Sequence, residues 1–289
     1  LEGTLSYFKI DKAVSYVDPR LQTGSVAATT TLSLNGYTIM LLQTAISPPP
    51  PPPPSPPSTS TIFEDDFESG GFSNWGGTRL TSSETSTVVN TLYHHGAYSA
   101  KFTSNGGGGV EQAYSYKTII SSSELYARGY VKVMSSGIAD DGDRFHFIAF
   151  RANGEGVAYA GWWKTGGVVK WSLLIRHGTG WTTAYSSSSP SLNQWYDVEL
   201  HWVEESVNGR GELYVNGVLV SSIQGKNTAT YDGVDEVRFG LASLQNCSPS
   251  TVFGDCFEAS STAIGSESSS DGDLALDGRL TAHGPLARL

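Results

Sequence analysis

Aromatic and basic side chains are concentrated between residues 144 and 181 of this 289-residue chain. Flat aromatic rings pack against the apolar C–H faces of sugars, while polar side chains beside them hydrogen-bond to the hydroxyl groups. The segment therefore predicts a carbohydrate-binding site for a polysaccharide. The candidate binding residues are His146, Arg151, Tyr159, Trp162, Trp163, Trp171, Arg176 and Trp181.

The adjacent Trp162 and Trp163 constrain this prediction. Successive side chains of a β-strand point to opposite faces, so at most one of the two belongs to the core. Trp181 stands between turn residues in GTGWTT, which favours exposure. The alternative is that the tryptophans are core residues with a few scattered surface aromatics. The basic side chains favour an acidic or sulfated sugar, or else they pair with the chain's own carboxylates.

Composition restricts the class of partner. The net charge of −10 argues against nucleic acid and against anionic membrane surfaces. No stretch of sequence approaches the ~20 apolar residues of a membrane span. A charged fraction of 16%, with abundant Gly, Tyr and Trp, is typical of a secreted β-protein that meets polar ligands. We therefore expect an extracellular monomer.

The only two cysteines are Cys247 and Cys256, in CSPSTVFGDC. Pro249 and Gly254 lie between them and let the chain fold back, so we expect a disulfide. Closing this loop would contribute about 2.7 kcal/mol by chain entropy. The alternative is two reduced thiols. A metal site at these cysteines is not expected, because no His is close to them in sequence.

A proline run, PPPPPPPSPP at residues 48–57, divides the chain. It has almost no free backbone N–H and favours extended polyproline II, which makes it a semi-rigid spacer. We expect a Pro/Ser-rich linker over 47–60, the last strands of a preceding β-domain over 1–46 and the main module over 61–265. Residues 266–289 are predicted to be a disordered or non-native tail.

The fold class follows from the periodicity of residues 61–265. About eleven short strand candidates alternate with Gly, Asn and Asp turns, and no segment keeps an apolar period of 3.6 residues. In QWYDVELHW, Tyr196 and Val198 share one face while Asp197 and Glu199 share the other, as in a half-buried antiparallel strand. The pattern predicts an all-β, two-sheet antiparallel sandwich.

Several phrases in this order resemble the concanavalin A-like jelly roll, in its laminin-G-like and polysaccharide-lyase-like branch. They are IFEDDFESGGFSNW (62–75), HHGAYSAKFTS (94–104), QWYDVELHWVEE (194–205), GELYVNGVLV (211–220) and CFEASSTAIG (256–265). The resemblance implies that the opening and closing strands pair. Residues 1–46 resemble the C-terminal β-domain of glycoside hydrolases. The alternative is that they are the last strands of some other β-sandwich, which would have a similar sequence pattern.

The same resemblance implies a structural Ca²⁺ where the opening and closing strands meet. Carboxylate oxygens are the ligands Ca²⁺ prefers, and the candidates are Asp66, Glu68, Asp255 and Glu258. A second acidic cluster, Asp140, Asp141 and Asp143, lacks the downstream Glu of an EF-hand. The alternative for both clusters is solvated turn residues.

Catalytic motifs of alginate-lyase-type jelly rolls are missing from the sequence. It has no R-x-E-L-R and no Q-I-H phrase. We therefore predict a non-catalytic polysaccharide-binding module, tethered by the spacer to an upstream glycoside hydrolase domain. One alternative is a polysaccharide lyase or glycosidase that uses His146, Arg151 and Tyr159. A second alternative is an extracellular adhesion or assembly domain.

Overall fold

The computed structural model describes residues 4–10, 21–27, 39–44, 60–106, 110–247 and 249–266. The chain divides into two compact units, residues 1–58 and 59–289. In the first unit, strands β1 (Thr4–Ile10), β2 (Leu21–Ala27) and β3 (Ile39–Thr44) form an antiparallel sheet in the order β2-β1-β3. The linker predicted over 47–60 and the tail predicted over 266–289 lie almost entirely outside the described residues.

The second unit contains two antiparallel sheets, which confirms the predicted β-sandwich. In order across the first, seven-stranded sheet, the strands are β13 (Gly180–Tyr185), β12 (Val168–His177), β11 (Glu155–Thr165), β10 (Arg144–Ala152), β17 (Val234–Gln245), β8 (Val110–Ser122) and β5 (Gly77–Leu80). No helix in the described part of the chain could span a membrane.

The second sheet has eight strands. In order they are β16 (Val218–Lys226), β15 (Gly209–Val215), β14 (Trp195–Val203), β9 (Glu124–Ser135), β18 (Ser250–Ser260), β7 (Ser99–Ser104) and β6 (Thr85–Val89), and β4 (Thr61–Asp65) also pairs with β18. The opening strand β4 thus pairs with the closing strand β18, with Phe63 opposite Ala259, as the resemblance implied.

The core lies between the facing sides of the two sheets, and strand alternation decides which residues enter it. Tyr196, Val198, Leu200 and Trp202 of β14 all join this core, as predicted. The opposite face of β14 differs from the expectation of a solvated surface. His201 on that face is buried, with its ring nitrogens 2.9 Å from carboxylate oxygens of Glu124 and Glu212. His201 can be buried on this face because Glu124 of β9 and Glu212 of β15, the two neighbouring strands, supply hydrogen-bond partners for its ring.

The predicted Cys247–Cys256 disulfide is wrong, because no bond joins these two cysteines in the structure. Cys247 is buried and its Sγ donates to the carbonyl oxygen of Arg144 at 3.0 Å. The chain between the cysteines does not fold back but enters β18, which is extended from Ser250. Six strand residues span about 20 Å, far beyond the Cα separation that a disulfide allows.

Reduction is therefore expected to leave the melting temperature of the protein unchanged. A cross-link of the predicted strength would have contributed about 2–3 kcal/mol, and its loss would lower the melting temperature by several degrees. Calorimetry with and without a phosphine reductant, combined with thiol titration in denaturant, measures this directly. A decrease in melting temperature on reduction that disappears in Cys256→Ser would show that a disulfide is present after all.

Candidate functional site

Strand register brings distant polar and aromatic residues together on the outer face of the seven-stranded sheet. Ala149 of β10 lies opposite both Tyr159 of β11 and Arg238 of β17, and Arg238 lies opposite Tyr116 of β8. Residues directly opposite in antiparallel strands point to the same face. The residues of this outer-face cluster are Tyr114, Arg144, His146, Arg151, Tyr159, Trp163, Arg176, Trp181 and Arg238.

Tyr159 stands at the centre of the outer-face cluster. Its ring centroid is 5.1 Å from that of His146 and 5.6 Å from that of Trp181. Trp181 is 43% exposed, in agreement with the prediction from its turn. An exposed indole beside a phenol and an imidazole provides both a stacking surface and groups that exchange protons.

Gly156 determines where the Tyr159 hydroxyl lies. A Cβ atom added at Gly156 would be 2.0 Å from this hydroxyl oxygen, so the phenol passes directly over the glycine. Gly156 lies opposite Arg151 of β10, which places the Tyr159 hydroxyl near the Arg151 position. No other residue type leaves the space that this tyrosine side chain occupies.

Arginines surround the aromatic residues and give the face a positive character. The Arg238 guanidinium lies 4.5 Å above the Tyr114 ring, and Arg144 lies 4.2 Å above the Trp163 ring. Burial raises the pKa of Tyr114, against the opposing effect of Arg238, so its phenol stays protonated. Arg176 contacts the Trp181 ring at 5.7 Å.

Two carboxylates neutralise part of this charge. Glu236 Oε1 lies 2.6 Å from Nε of Arg238 and 3.7 Å from Nε of Arg151, and Glu155 accepts a 2.5 Å hydrogen bond from Arg176. The alternative that the basic residues pair with the chain's own carboxylates is thus realised in part. Arg144 has no carboxylate partner among the described residues, and four arginines face two glutamates.

His146 is buried beneath this face, with an exposed fraction of 3%. Neither of its ring nitrogens has a hydrogen-bond partner among the described residues. Burial, with a smaller contribution from the nearby Arg144, lowers the pKa of His146 to about 3. The imidazole is therefore neutral near pH 7 and offers one N–H donor and one nitrogen acceptor to whatever binds above it.

Two of the predicted binding residues, Trp162 and Trp171, cannot contact a ligand. They are 3% and 2% exposed, and they lie opposite one another in β11 and β12 with their ring centroids 5.8 Å apart. Both therefore point into the core together. The other six predicted residues belong to the outer-face cluster, and Trp163 rather than Trp162 is the member of the pair that faces outward.

Three residues of the cluster, Tyr114, Arg144 and Arg238, are missing from the set predicted from sequence. Tyr114 and Arg238 come from β8 and β17, outside the segment where aromatic residues are dense. The Y-x-Y alternation of Tyr114 and Tyr116 is the one local signal that places two tyrosines on a single face. Only the pairing of β10 with β17 and of β17 with β8 brings them to the face that carries Ala149 and Tyr159.

The predicted calcium ligands occupy two neighbouring places. Asp66 and Glu258 line a cavity of about 400 Å³, together with Arg128. Glu68 accepts hydrogen bonds from the backbone N–H groups of Ala97 and Tyr98, and Asp255 accepts from those of His94 and His95. These carboxylates hold the loop between β6 and β7, and calcium binding stays a prediction.

Comparison with known proteins identifies the fold. No protein-family model and no curated protein matches the chain. Among solved structures, it is similar to an endo-β-1,4-glucuronan lyase from the fungus Trichoderma reesei, with a TM-score of 0.55 and 16% identity over 70% of this chain and 96% of that chain. It is also similar to the cellulose-induced protein Cip1, with a TM-score of 0.52 and 16% identity over 71% of this chain and all of that one.

These identities show a shared β-sandwich fold, and the narrower laminin-G-like label is not confirmed. The prediction that the module is not an enzyme is contradicted by the first comparison. That prediction rested on missing sequence motifs, yet an enzyme shares this fold over 96% of its length at only 16% identity. Short motifs therefore do not decide whether a sandwich of this shape carries an active site.

Proposed function

We propose that the outer-face cluster cleaves an acidic polysaccharide by β-elimination, which would make this module a polysaccharide lyase. The observation that carries the proposal is the position of Tyr159, which lies between the neutral His146 and the arginines of the same face. Elimination needs a group that moves a proton and cations that stabilise the charge developing on the substrate. The similarity in fold to a glucuronan lyase supports the same reading.

The charge of the face indicates the substrate class. The outer-face cluster has four arginines and only two glutamates paired with them, in a chain whose net charge is −10, so its local charge is opposite in sign to that of the whole molecule. Arginine binds carboxylates with two parallel hydrogen bonds, which favours uronate residues over neutral sugars. Trp163 and Trp181 supply rings on which flanking sugars stack.

The proposed reaction conserves protons and electrons. The oxygen of Tyr159 takes the C5 proton of a uronate, next to the carboxyl group, as its own hydroxyl proton passes to the departing O4 atom. The C5–H and C4–O4 bonds break, a C4=C5 double bond forms, and the protein is returned unchanged. Arg151 and Arg238 bind the substrate carboxylate and stabilise the enolate-like charge that builds up as the proton leaves.

His146 is assigned to hydrogen-bond donation rather than to proton abstraction. A pKa of about 3 makes this imidazole a weak proton acceptor at neutral pH. Its N–H can still donate to a substrate carboxylate, since neither ring nitrogen has a partner among the described residues. A buried donor without a partner costs desolvation free energy, which a hydrogen bond to the substrate carboxylate would recover.

The proposal includes the setting in which the module works. The module and the preceding β-unit, joined through the proline run at 48–57, would act together outside the cell on polymeric substrate. A Ca²⁺ ion in the cavity lined by Asp66 and Glu258 would stabilise the joint of the opening and closing strands.

Incubation of the full chain with defined polysaccharides tests the proposal. The panel contains glucuronan, polygalacturonate, alginate and hyaluronan as uronate polymers, with cellulose and xylan as neutral controls. We expect ultraviolet-absorbing unsaturated ends from at least one uronate polymer and none from the neutral ones. Arg151→Ala should lose turnover, whereas Lys170→Ala, at another position on the same sheet face, should keep it.

The outcome that contradicts the proposal is specific. Binding to a uronate polymer without unsaturated product, by folded protein over a broad pH range, would refute elimination. Release of saturated reducing ends alone would assign hydrolysis instead.

A further inference from the structure

Three side chains that bind transition metals meet on the eight-stranded sheet. His94 and His95 belong to the loop between β6 and β7, and Cys256 belongs to β18. The two Nδ1 atoms are 2.9 Å apart, and Sγ of Cys256 is 3.6 Å from Nδ1 of His95. Within the described residues, this is the one group of three His, Cys, Asp or Glu side chains whose ligand atoms converge, all within 4.8 Å.

A single carboxylate positions all three residues. Oδ2 of the buried Asp255 accepts hydrogen bonds from the backbone N–H groups of His94 and His95, at 2.7 and 3.2 Å. Its Oδ1 accepts from the backbone N–H of Cys256 at 2.8 Å. The spacing of the three side chains is therefore set by a fixed support and does not depend on chance contact between mobile surface groups.

The ring of His94 is held in place by its neighbours. It stacks on Tyr130 with ring centroids 3.7 Å apart and planes inclined by 14°, and it meets Trp195 edge-on at 5.5 Å. The ring of His95 is exposed and meets His94 at a right angle, 4.3 Å away. One ligand is thus rigid, while the other can adjust by the small distance that coordination requires.

The spacing is near that of a zinc site, and the widest separation, within 4.8 Å, closes by about 1 Å on binding. With Zn–N bonds of about 2.0 Å, Zn–S bonds of about 2.3 Å and tetrahedral angles, ligand atoms lie roughly 3.3–3.7 Å apart. The distance from Sγ to Nδ1 of His95 is 3.6 Å, and a small rotation of the exposed His95 ring lengthens the 2.9 Å contact between the two Nδ1 atoms. Imidazole and thiolate together form a donor set that zinc favours.

We propose that His94, His95 and Cys256 bind Zn²⁺ through three protein ligands, with the fourth position open to solvent. The ion would fasten the loop between β6 and β7 to the closing strand β18. This site lies on the eight-stranded sheet, whereas the outer-face cluster lies on the seven-stranded sheet. A test of zinc binding is therefore independent of the proposed lyase activity.

Cobalt and zinc binding to the full chain tests the site. Untagged protein is treated with chelator, kept reduced with a phosphine and titrated with Co²⁺, then with Zn²⁺. We expect one equivalent of Co²⁺ to give a thiolate-to-cobalt charge-transfer band that Zn²⁺ abolishes. Cys256→Ser should lose the band, and His95→Ala should weaken zinc affinity at least about tenfold. Zinc should also slow alkylation of Cys256 in the wild-type protein.

Matched variants exclude non-specific binding. Burial raises the pKa of Cys247 to about 12, so this thiol does not supply a thiolate, and Cys247→Ser should keep the cobalt band. His177 lies elsewhere, with Nε2 2.8 Å from the Thr182 hydroxyl, and His177→Ala should bind zinc as the wild type does. The proposal is overturned if no saturable band forms, or if the band survives in Cys256→Ser.

Discussion

Replacing Tyr159 with Phe is expected to lower the rate of product formation by about 10²–10⁴-fold on whichever uronate polymer is cleaved. This is the usual contribution of a positioned group that transfers a proton. The ring of Phe keeps the contacts to His146 and Trp181, so the fold and polymer binding should stay close to those of the wild type. Initial rates from ultraviolet absorbance, together with affinity electrophoresis in the same polymer, separate turnover from binding.

A second variant moves the hydroxyl without removing it. In Gly156→Ala the new Cβ would lie 2.0 Å from the Tyr159 hydroxyl oxygen, so the phenol must shift. We expect a loss of turnover comparable to that of Tyr159→Phe, because proton transfer depends steeply on distance. Gly180→Ala is the matched control, since its Cβ would meet nothing within 4 Å. Full activity in Tyr159→Phe would remove Tyr159 from the mechanism.

His146 should make the protein sensitive to acid. Burial and Arg144 lower its pKa from 6.5 to about 3, so between these pH values the unfolded chain binds a proton that the folded chain does not. The free energy of unfolding therefore falls as the pH falls through this window. Because pH 4.5 lies about two units below 6.5, we expect the free energy of unfolding at pH 4.5 to be about 2–3 kcal/mol lower than at pH 7.

His146→Gln should lack this loss. Urea unfolding of both proteins at pH 7 and pH 4.5 measures it, and the decrease in stability should be smaller in the variant by about 2–3 kcal/mol. Ser243 lies opposite His146 in β17 and does not titrate, so Ser243→Ala controls for local packing and should retain the wild-type decrease. An equal decrease in His146→Gln and wild type would show that His146 is not a buried neutral imidazole.

The sequence by itself determined the fold class and most of the candidate face. Alternation in QWYDVELHW correctly placed Tyr196, Val198, Leu200 and Trp202 in the core, and the pairing of β4 with β18 agreed with the resemblance. Six of eight predicted binding residues lie on one face. Local periodicity carries this information because side chains of a strand alternate and those that face the core between the sheets are mostly apolar.

Tertiary structure alone decided what depends on pairing between distant strands. Periodicity shows that Trp162 and Trp163 face opposite ways, but only the register with Trp171 determines which one is buried. Arg238 and Tyr114 reach the face of Ala149 and Tyr159 because β17 lies between β10 and β8. Cys256 is nine residues from Cys247 yet lies beside His95, which is 161 residues away in sequence. Residues a few positions apart in an extended strand lie far from one another in space. Their close contacts are instead with residues of the paired strands and loops, which come from elsewhere in the chain.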